Sequence, residues 1–136
     1  MTRLTLIPSL HRAVHAVALA LAADPELDVN QAEAHILAHL RETNRAGISE
    51  LHQRFGHRRS TLTSVLDRLE TRGLIERASD PDDRRAFVVS LTPAGRTLAT
   101  RVHRVLAEVE RAALAGVSES QRSAVVRVLD AFGDPR

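Results

Sequence analysis

The chain has 136 residues, which is enough for one domain with a buried core. Its formal net charge is only +2, so the pI of 10.7 overstates the positive field of the molecule. The absence of cysteine excludes a disulfide framework and thiol chemistry, and it fits a reducing compartment. The apolar run at residues 13–23 is too short and too rich in alanine to span a bilayer, and no cleavable signal peptide is recognisable. We therefore expect a cytoplasmic protein with no membrane partner.

A first helix is predicted over residues 4–23, with Pro8 in its first turn, where the missing N–H costs little. Its apolar positions recur at helical spacing: Leu10, Val14, Val17 and Leu21. Alanine, leucine and valine cover most of this helix, so burial on one side would leave much apolar area in water. This favours burial against a second chain over burial wholly inside one domain, which so short a chain can hardly provide.

A second helix is predicted from Asn30, an N-cap that has Glu33 three residues later, close to a capping box. The helix is expected to run to about residue 41 with an apolar inner face. Residues 43–47 are then predicted to form a turn, and residues 48–55 a short third helix.

The fourth helix follows a tight corner at Gly56 and is predicted to end near residue 71, with Gly73 as its stop. Its apolar positions, spaced i, i+3, i+4 and i+7, are Leu62, Val65, Leu66 and Leu69. The opposite face carries small hydroxyls, among them Ser60 and Ser64. Two short helices joined by a glycine corner form a helix-turn-helix, and small hydroxyls let such a helix approach base edges in a major groove. Taken alone, this face fits a generic amphipathic helix equally well.

A hairpin comes next, with strands predicted at residues 74–78 and 86–91 and a turn rich in Asp and Pro between them. Arg84 and Arg85 lie at or just past its tip, where an arginine can reach the focused negative potential of a minor groove. The alternative is that both only pair with the two preceding aspartates, and the two roles are compatible. Helix and wing together predict binding to double-stranded DNA.

Two further helices complete the chain. Thr92 as N-cap and Pro93 at the first helical position open a fifth helix that is predicted to run to about residue 115. Ser118 and Gln121 form a capping box for a sixth. The apolar faces of both helices could meet the first helix and its mate across a two-fold axis.

The predicted fold is mainly α with a small β-wing. It consists of a winged helix-turn-helix lobe at residues 30–92 and of dimerisation helices at residues 4–28 and 93–136. Residues 54–77 hold six arginines and three acidic residues, a local charge of +3. The planar fork of arginine suits phosphates and base edges. However, all 19 basic residues are arginines, a bias that a GC-rich genome would also produce.

Other function classes have less support. The sequence has no Gly-rich phosphate loop, no cysteine nucleophile and no His–carboxylate spacing typical of metallohydrolases. Ser60 and Ser64 lie near His57, but an exposed helical Ser/His pair without an oxyanion hole is a poor nucleophile. We therefore expect no enzyme activity and no cofactor. A winged helix that binds another protein without reading DNA remains the alternative.

Three segments resemble the MarR family of bacterial transcription regulators: LDRLETRGLIER at residues 66–77, DPDDRR at 80–85 and SLTPAG at 90–95. The order of elements agrees with this family over residues 4–132. The resemblance implies a homodimer whose chain ends form the interface. It also implies that helix four enters the major groove and the wing the minor groove of a pseudo-palindromic operator. A repressor that a small molecule releases is the usual case in this family.

Carried over by position, the resemblance implies that Arg85 is the wing-tip arginine and that Asp83 orients it. Asp67 and Arg77 are expected to form an ion pair between helix four and the wing. The residues expected to contact DNA are Arg58, Arg59, Ser60, Thr61, Thr63, Ser64, Arg68, Arg84 and Arg85.

One position departs from the family pattern. Members often have Ser or Thr where helix four begins, and this chain has Arg58 there. A lost N-cap hydroxyl costs about 1 kcal/mol, and a cation at this end opposes the helix dipole. The arrangement is explained if a DNA phosphate binds the free N–H groups and the arginines.

The family commonly binds small organic anions between the dimer helices and the lobe, so five histidines are candidate effector contacts: His11, His15, His35, His39 and His103. Some members bind zinc through histidines instead. The i, i+4 spacing of two of these pairs suits a metal, but His35 and His39 lack an evident carboxylate, with Glu33 the nearest candidate. We therefore predict no metal site. For the effector, two alternatives remain: a small organic anion, or no effector at all.

Overall fold

The structure, a computed structural model, describes residues 1–134 apart from the side chains of Arg84 and Arg85. Its elements in chain order are α1 (Ile7–Ala22), α2 (Gln31–Thr43), β1 (Arg45–Gly47), α3 (Ile48–Phe55), α4 (Arg59–Thr71), β2 (Ile75–Asp80), β3 (Asp83–Leu91), α5 (Pro93–Ala113) and α6 (Glu119–Gly133). The predicted fold class, mainly α with a small β-wing, is confirmed.

The predicted caps set the helix starts. Asn30 Oδ1 accepts from the Glu33 N–H at 2.8 Å, and Glu33 Oε1 accepts from the Asn30 N–H at 3.2 Å. Ser118 and Gln121 repeat this reciprocal arrangement at the start of α6, at 3.1 and 2.9 Å. Each capping box satisfies two backbone donors that a helix start would otherwise leave free. α1 begins three residues later than predicted, with Pro8 in its first turn.

The sheet contains a strand that the sequence did not predict. Its order is β1-β3-β2, all antiparallel, and β1 pairs Ala46 with Val89 in the segment that we expected to be a turn. The prediction was wrong because three residues are too few to show alternation. Pairing with the free edge of β3 decides the conformation instead, and it buries Ala46.

The hairpin strands are longer than predicted. β2 extends to Asp80 and β3 starts at Asp83, so the turn shortens to two residues. The backbone of Arg84 and Arg85 consequently lies in β3, directly after the tip. The register shifts at Ser79 and Asp80, which marks an irregularity at the end of the wing.

The main core lies inside the lobe, where the inner face of α4 packs on α2, α3 and the sheet. Its buried residues include Leu37, Leu51, Leu66 and Val89. A smaller second core forms where α1, α2 and α5 meet, and it consists of Leu21, Leu27, Ala34 and Val102. We call this second cluster the junction core, because it joins the lobe to the terminal helices.

The wing is fixed to the start of α5 by close backbone contact. Thr92 caps α5 by accepting from the Gly95 N–H at 3.0 Å, and its hydroxyl donates to the Gly73 carbonyl at 2.6 Å. A Cβ atom on Gly95 would lie 1.8 Å from the Leu74 carbonyl oxygen. Only glycine therefore allows α5 to approach the first residue of the wing this closely.

The terminal helices leave a large apolar surface uncovered in the single chain. α6 has no buried residue among those described, and α1 buries only Leu21. The exposed large hydrophobic residues of these segments are Leu4, Leu6, Ile7, Val14, Leu19, Val125, Val126, Val128, Leu129 and Phe132. An apolar surface of this extent marks an interaction site. Among the residues described, no helix is long and apolar enough to cross a membrane.

Candidate nucleic-acid interface

The outer face of α4 is polar and exposed, as the helical spacing predicted. Its inner positions Leu62, Val65, Leu66 and Leu69 are at most 2% exposed. The hydroxyl residues Ser60, Thr61, Thr63 and Ser64 all lie in the exposed class. Because these side chains are short, a groove wall can approach the helix backbone closely along this face.

The start of α4 has no side-chain cap. Gly56 makes the corner after α3 with φ of 65°, a conformation that favours glycine. Arg58 then holds the N-cap position with extended backbone, and its side chain accepts no hydrogen bond. No side chain at the N-cap binds the first-turn N–H groups, and Arg58 and Arg59 at this end are both exposed. Such a helix end binds anions well.

The arginines around α4 fall into two groups. Arg72 and Arg77 form ion pairs within the chain, Arg72 with Glu33 at 3.2 Å. Four others have no carboxylate within ion-pair distance among the residues that the structure describes: Arg54, Arg58, Arg59 and Arg68. The sequence predicted the pairing of Arg77 but not that of Arg72, and the four other arginines are the ones available to an external anion.

The base of the wing is attached to α4 through Arg77. Its Nη2 contacts Asp67 Oδ1, and its Nε lies 3.7 Å from Glu70 Oε1. The predicted ion pair between Asp67 and Arg77 is therefore present. It joins β2 to the exposed side of α4.

The wing-tip arginines fall outside the described side chains. Within β3 only the backbone of Arg84 and Arg85 is placed, and at the turn Asp80 Oδ1 accepts from the Asp82 N–H at 2.9 Å. The orienting role predicted for Asp83 thus stays a prediction, as do the roles of the two arginines.

Three of the five candidate histidines come together in a groove of about 1100 Å³ between α1, α2, α5 and the end of α3. His35, His39 and His103 line it, whereas His11 and His15 lie exposed on α1 and are not part of its lining. Arg54, Arg111 and Arg122 line the same groove, and so do Glu42 and Glu110. Arg111 is already paired with Glu108.

Two of the three histidines of this groove have carboxylate partners, and for His39 this contradicts the sequence prediction. His39 Nε2 lies 2.7 Å from Glu50 Oε2, and His103 Nε2 lies 3.4 Å from Glu42 Oε1. Glu33, the carboxylate that we expected nearest, binds Asn30 and Arg72 instead. The sequence could not reveal the Glu50 contact, because it depends on how α3 packs against α2.

The end of α3 adds an aromatic cluster next to the groove. Phe55 meets His39 edge-on at 5.6 Å and stacks on His57 at 6.0 Å. Burial lowers the pKa of His35, and the nearby His57 lowers it further, so the neutral form of His35 is favoured. Within residues 1–134, no group of three or more His, Cys, Asp or Glu side chains could hold a metal ion.

Comparison with known proteins identifies the family. The MarR family model matches residues 29–87. A probable transcriptional regulator from Pseudomonas aeruginosa, of known structure, is 30% identical, with 90% of this chain and 92% of that chain covered and a TM-score of 0.69. Bordetella bronchiseptica BpsR, whose DNA binding is regulated by 6-hydroxynicotinic acid, is 26% identical over 97% of this chain and 95% of that chain, with a TM-score of 0.73.

Curated sequences point the same way. The HTH-type transcriptional repressor IacR from Pseudomonas putida is 27% identical over 105 residues, which are 77% of this chain and 63% of that protein. The chain spans less than two thirds of the length of the curated relatives it matches. The fold, the order of elements and these matches agree, and we conclude that the chain belongs to the MarR family.

Proposed function

We propose that the protein is a sequence-specific regulator of transcription that binds double-stranded DNA as a homodimer in the bacterial cytoplasm, and that it acts as a repressor. One observation carries this proposal: α4 presents an exposed hydroxyl face beside Arg58, Arg59 and Arg68, which have no carboxylate partner among the residues described. The repressor role rests on the similarity to IacR. We assign no enzyme activity to the chain, since its relatives are transcription regulators.

The dimer follows from the uncovered apolar surface of α1 and α6. Two copies that bury these helices against each other would place two lobes on one side of the molecule. A two-fold dimer binds a two-fold operator, so we expect a pseudo-palindromic site with half-sites about one helical turn apart.

The roles of the individual residues follow from their positions on the lobe. Ser60, Thr61, Thr63 and Ser64 read base edges in the major groove, with Arg68 further along the same helix. Arg58 and Arg59 bind a phosphate at the start of α4. Arg84 and Arg85 enter the minor groove, with Asp83 orienting Arg85 and the pair of Asp67 and Arg77 supporting the wing.

An effector site is proposed in the groove that contains His35, His39 and His103. A small organic anion there would meet Arg54 and Arg122, which form no ion pair within the part of the chain that the structure describes, and it would contact helices of both the lobe and the dimerisation region. Binding in such a place can change the position of one lobe relative to the other and release DNA. The regulation of BpsR by 6-hydroxynicotinic acid supports this ligand class.

The proposal is tested by selecting duplexes from a random pool with the purified protein and then measuring affinity by fluorescence anisotropy. We expect enrichment of one pseudo-palindrome, bound by a dimer with an affinity that falls steeply with salt. A triple Ser60→Ala, Thr63→Ala, Ser64→Ala variant should bind random DNA as before and lose the preference for that site. A winged helix that serves only protein contacts would enrich no sequence, and this result would overturn the proposal.

A further inference from the structure

The segment between α1 and α2, residues 23–30, leads from the first terminal helix into the DNA-binding lobe; we call it the connector. It passes over the junction core, to which it contributes Leu27. This core has four buried residues, against thirteen in the lobe. Ala99 of α5 belongs to the larger core as well, so α5 also packs directly on the lobe. Polar contacts around the connector add to this packing in fixing the angle between the two parts.

Arg101 of α5 holds the first half of the connector. Its Nε donates to Asp24 Oδ2 at 2.8 Å and its Nη2 to Asp24 Oδ1 at 3.2 Å, while its Nη1 contacts Glu26. A guanidinium that binds one carboxylate with two parallel hydrogen bonds has a fixed direction as well as a fixed distance. The hydrogen bond from Arg101 also lowers the pKa of Asp24, which keeps the carboxylate charged.

Arg72, at the end of α4, binds Glu33 at the start of α2 and approaches the second half of the connector. It is the C-cap residue of α4, and its Nη1 donates to Glu33 Oε2 at 3.2 Å while Nη2 lies 4.0 Å from Asp28 Oδ2. Glu33 is only 6% exposed, and its second oxygen caps α2 at Asn30. Asp28 adopts φ of 43°, an unusual backbone conformation for a residue other than glycine.

We propose that Arg101 and Arg72 together determine the half-site spacing that the dimer accepts, by holding the connector between the dimerisation helix α5 and the recognition helix α4. This inference rests on the proposed DNA-binding function. One inserted base pair moves a half-site by about 3.4 Å and turns it by about 35°. A dimer with a stiff connector should bind the lengthened site much less tightly. A dimer with a loosened connector can adjust its lobes to the new spacing and should lose less affinity.

The experiment compares two duplexes: the one that the wild-type protein selects from a random pool, and the same duplex with one base pair inserted between the half-sites. The measured quantity is the dissociation constant for the duplex with the insertion divided by the dissociation constant for the selected duplex. We expect Arg101→Gln to lower this ratio by about threefold to fivefold, the effect of an exposed ion-pair cluster, and Arg72→Gln to lower it in the same direction.

Arg104→Gln is the matched control. Arg104 lies on the same helix, is exposed and forms no ion pair among the residues described, so its loss changes the net charge equally and leaves the connector intact. Its ratio should equal that of the wild type. A weakened fold would lower affinity for both duplexes alike, and so it would not move the ratio.

An Arg101→Gln ratio within twofold of the wild type would overturn the inference while leaving the proposed function standing. Arg101 is 42% exposed, so this variant should fold even if Arg72→Gln, which leaves the buried Glu33 unpaired, does not. If the wild-type protein enriches no duplex at all, the proposed function fails and the inference fails with it.

Discussion

Replacing Arg58 by serine is predicted to stabilise the fold and weaken DNA binding at the same time. Arg58 occupies the N-cap of α4 with φ of −62° and ψ of 151°, and its side chain accepts no hydrogen bond from the helix. A serine hydroxyl can accept one from a first-turn N–H, which contributes about 1 kcal/mol. Removing a cation from the positive end of the helix dipole adds about 0.3–1 kcal/mol. The free energy of unfolding should therefore rise by about 1–2 kcal/mol.

DNA affinity should change in the opposite direction, because the serine cannot neutralise a phosphate. Each phosphate contact contributes about 0.9 to the slope of log affinity against log salt, so a dimer that loses two contacts should show a slope shallower by about 1.8. Urea unfolding measures the first effect, and fluorescence anisotropy at several salt concentrations measures the second. Arg59→Ser is the control for the stability effect. It removes the same charge one residue inside the helix, where a serine is not the N-cap.

Two results would refute this reasoning. If Arg58→Ser leaves both the affinity and its salt slope unchanged, no phosphate binds at this end of α4. If Arg59→Ser stabilises the fold as much as Arg58→Ser does, the gain comes from charge alone and the missing cap has no part in it.

Two further predictions concern stability. Gly95→Ala places a methyl group 1.8 Å from the Leu74 carbonyl oxygen. Overpacking of about 1–3 kcal/mol should outweigh the gain of about 1 kcal/mol in helix propensity, so thermal unfolding should occur at a lower temperature. Gly133→Ala, with no atom within 4 Å of the added carbon, should not lower that temperature. Burial lowers the pKa of His35 from 6.5, so the unfolded chain binds this proton more readily than the folded chain. The contribution of His35 to the free energy of unfolding should be fully present above pH 6.5 and should be lost as the pH falls through the lowered pKa. His35→Gln should remove this part of the decline in urea unfolding measured at several pH values; an unchanged pH profile would contradict the assignment.

Local signals in the sequence predicted the helices well. The capping boxes at Asn30 and Ser118, the Thr92 cap and the glycine corner at Gly56 each act within four residues, so the amino-acid order alone identifies them. The ion pair between Asp67 and Arg77 was predicted by resemblance, because its two residues lie in a motif that the family shares.

Features that depend on distant contacts were missed. β1 forms because Ala46 pairs with Val89, which is far along the chain, and three residues carry no readable pattern. The pairing of Arg72 with Glu33 likewise joins two helices across the lobe. No spacing rule predicts such a contact, and for this reason the pairing of Arg72 was missed.

The central claim is that two α4 helices of one dimer occupy successive major grooves. Protection of guanine N7 from dimethyl sulfate tests it most directly, since N7 lies in the major groove. On the duplex that the protein selects, we predict two protected patches whose centres are about 10 base pairs apart. Each patch should be lost when the exposed hydroxyls of α4 are replaced by alanine. Uniform protection along the duplex, or a single patch, would contradict the claim.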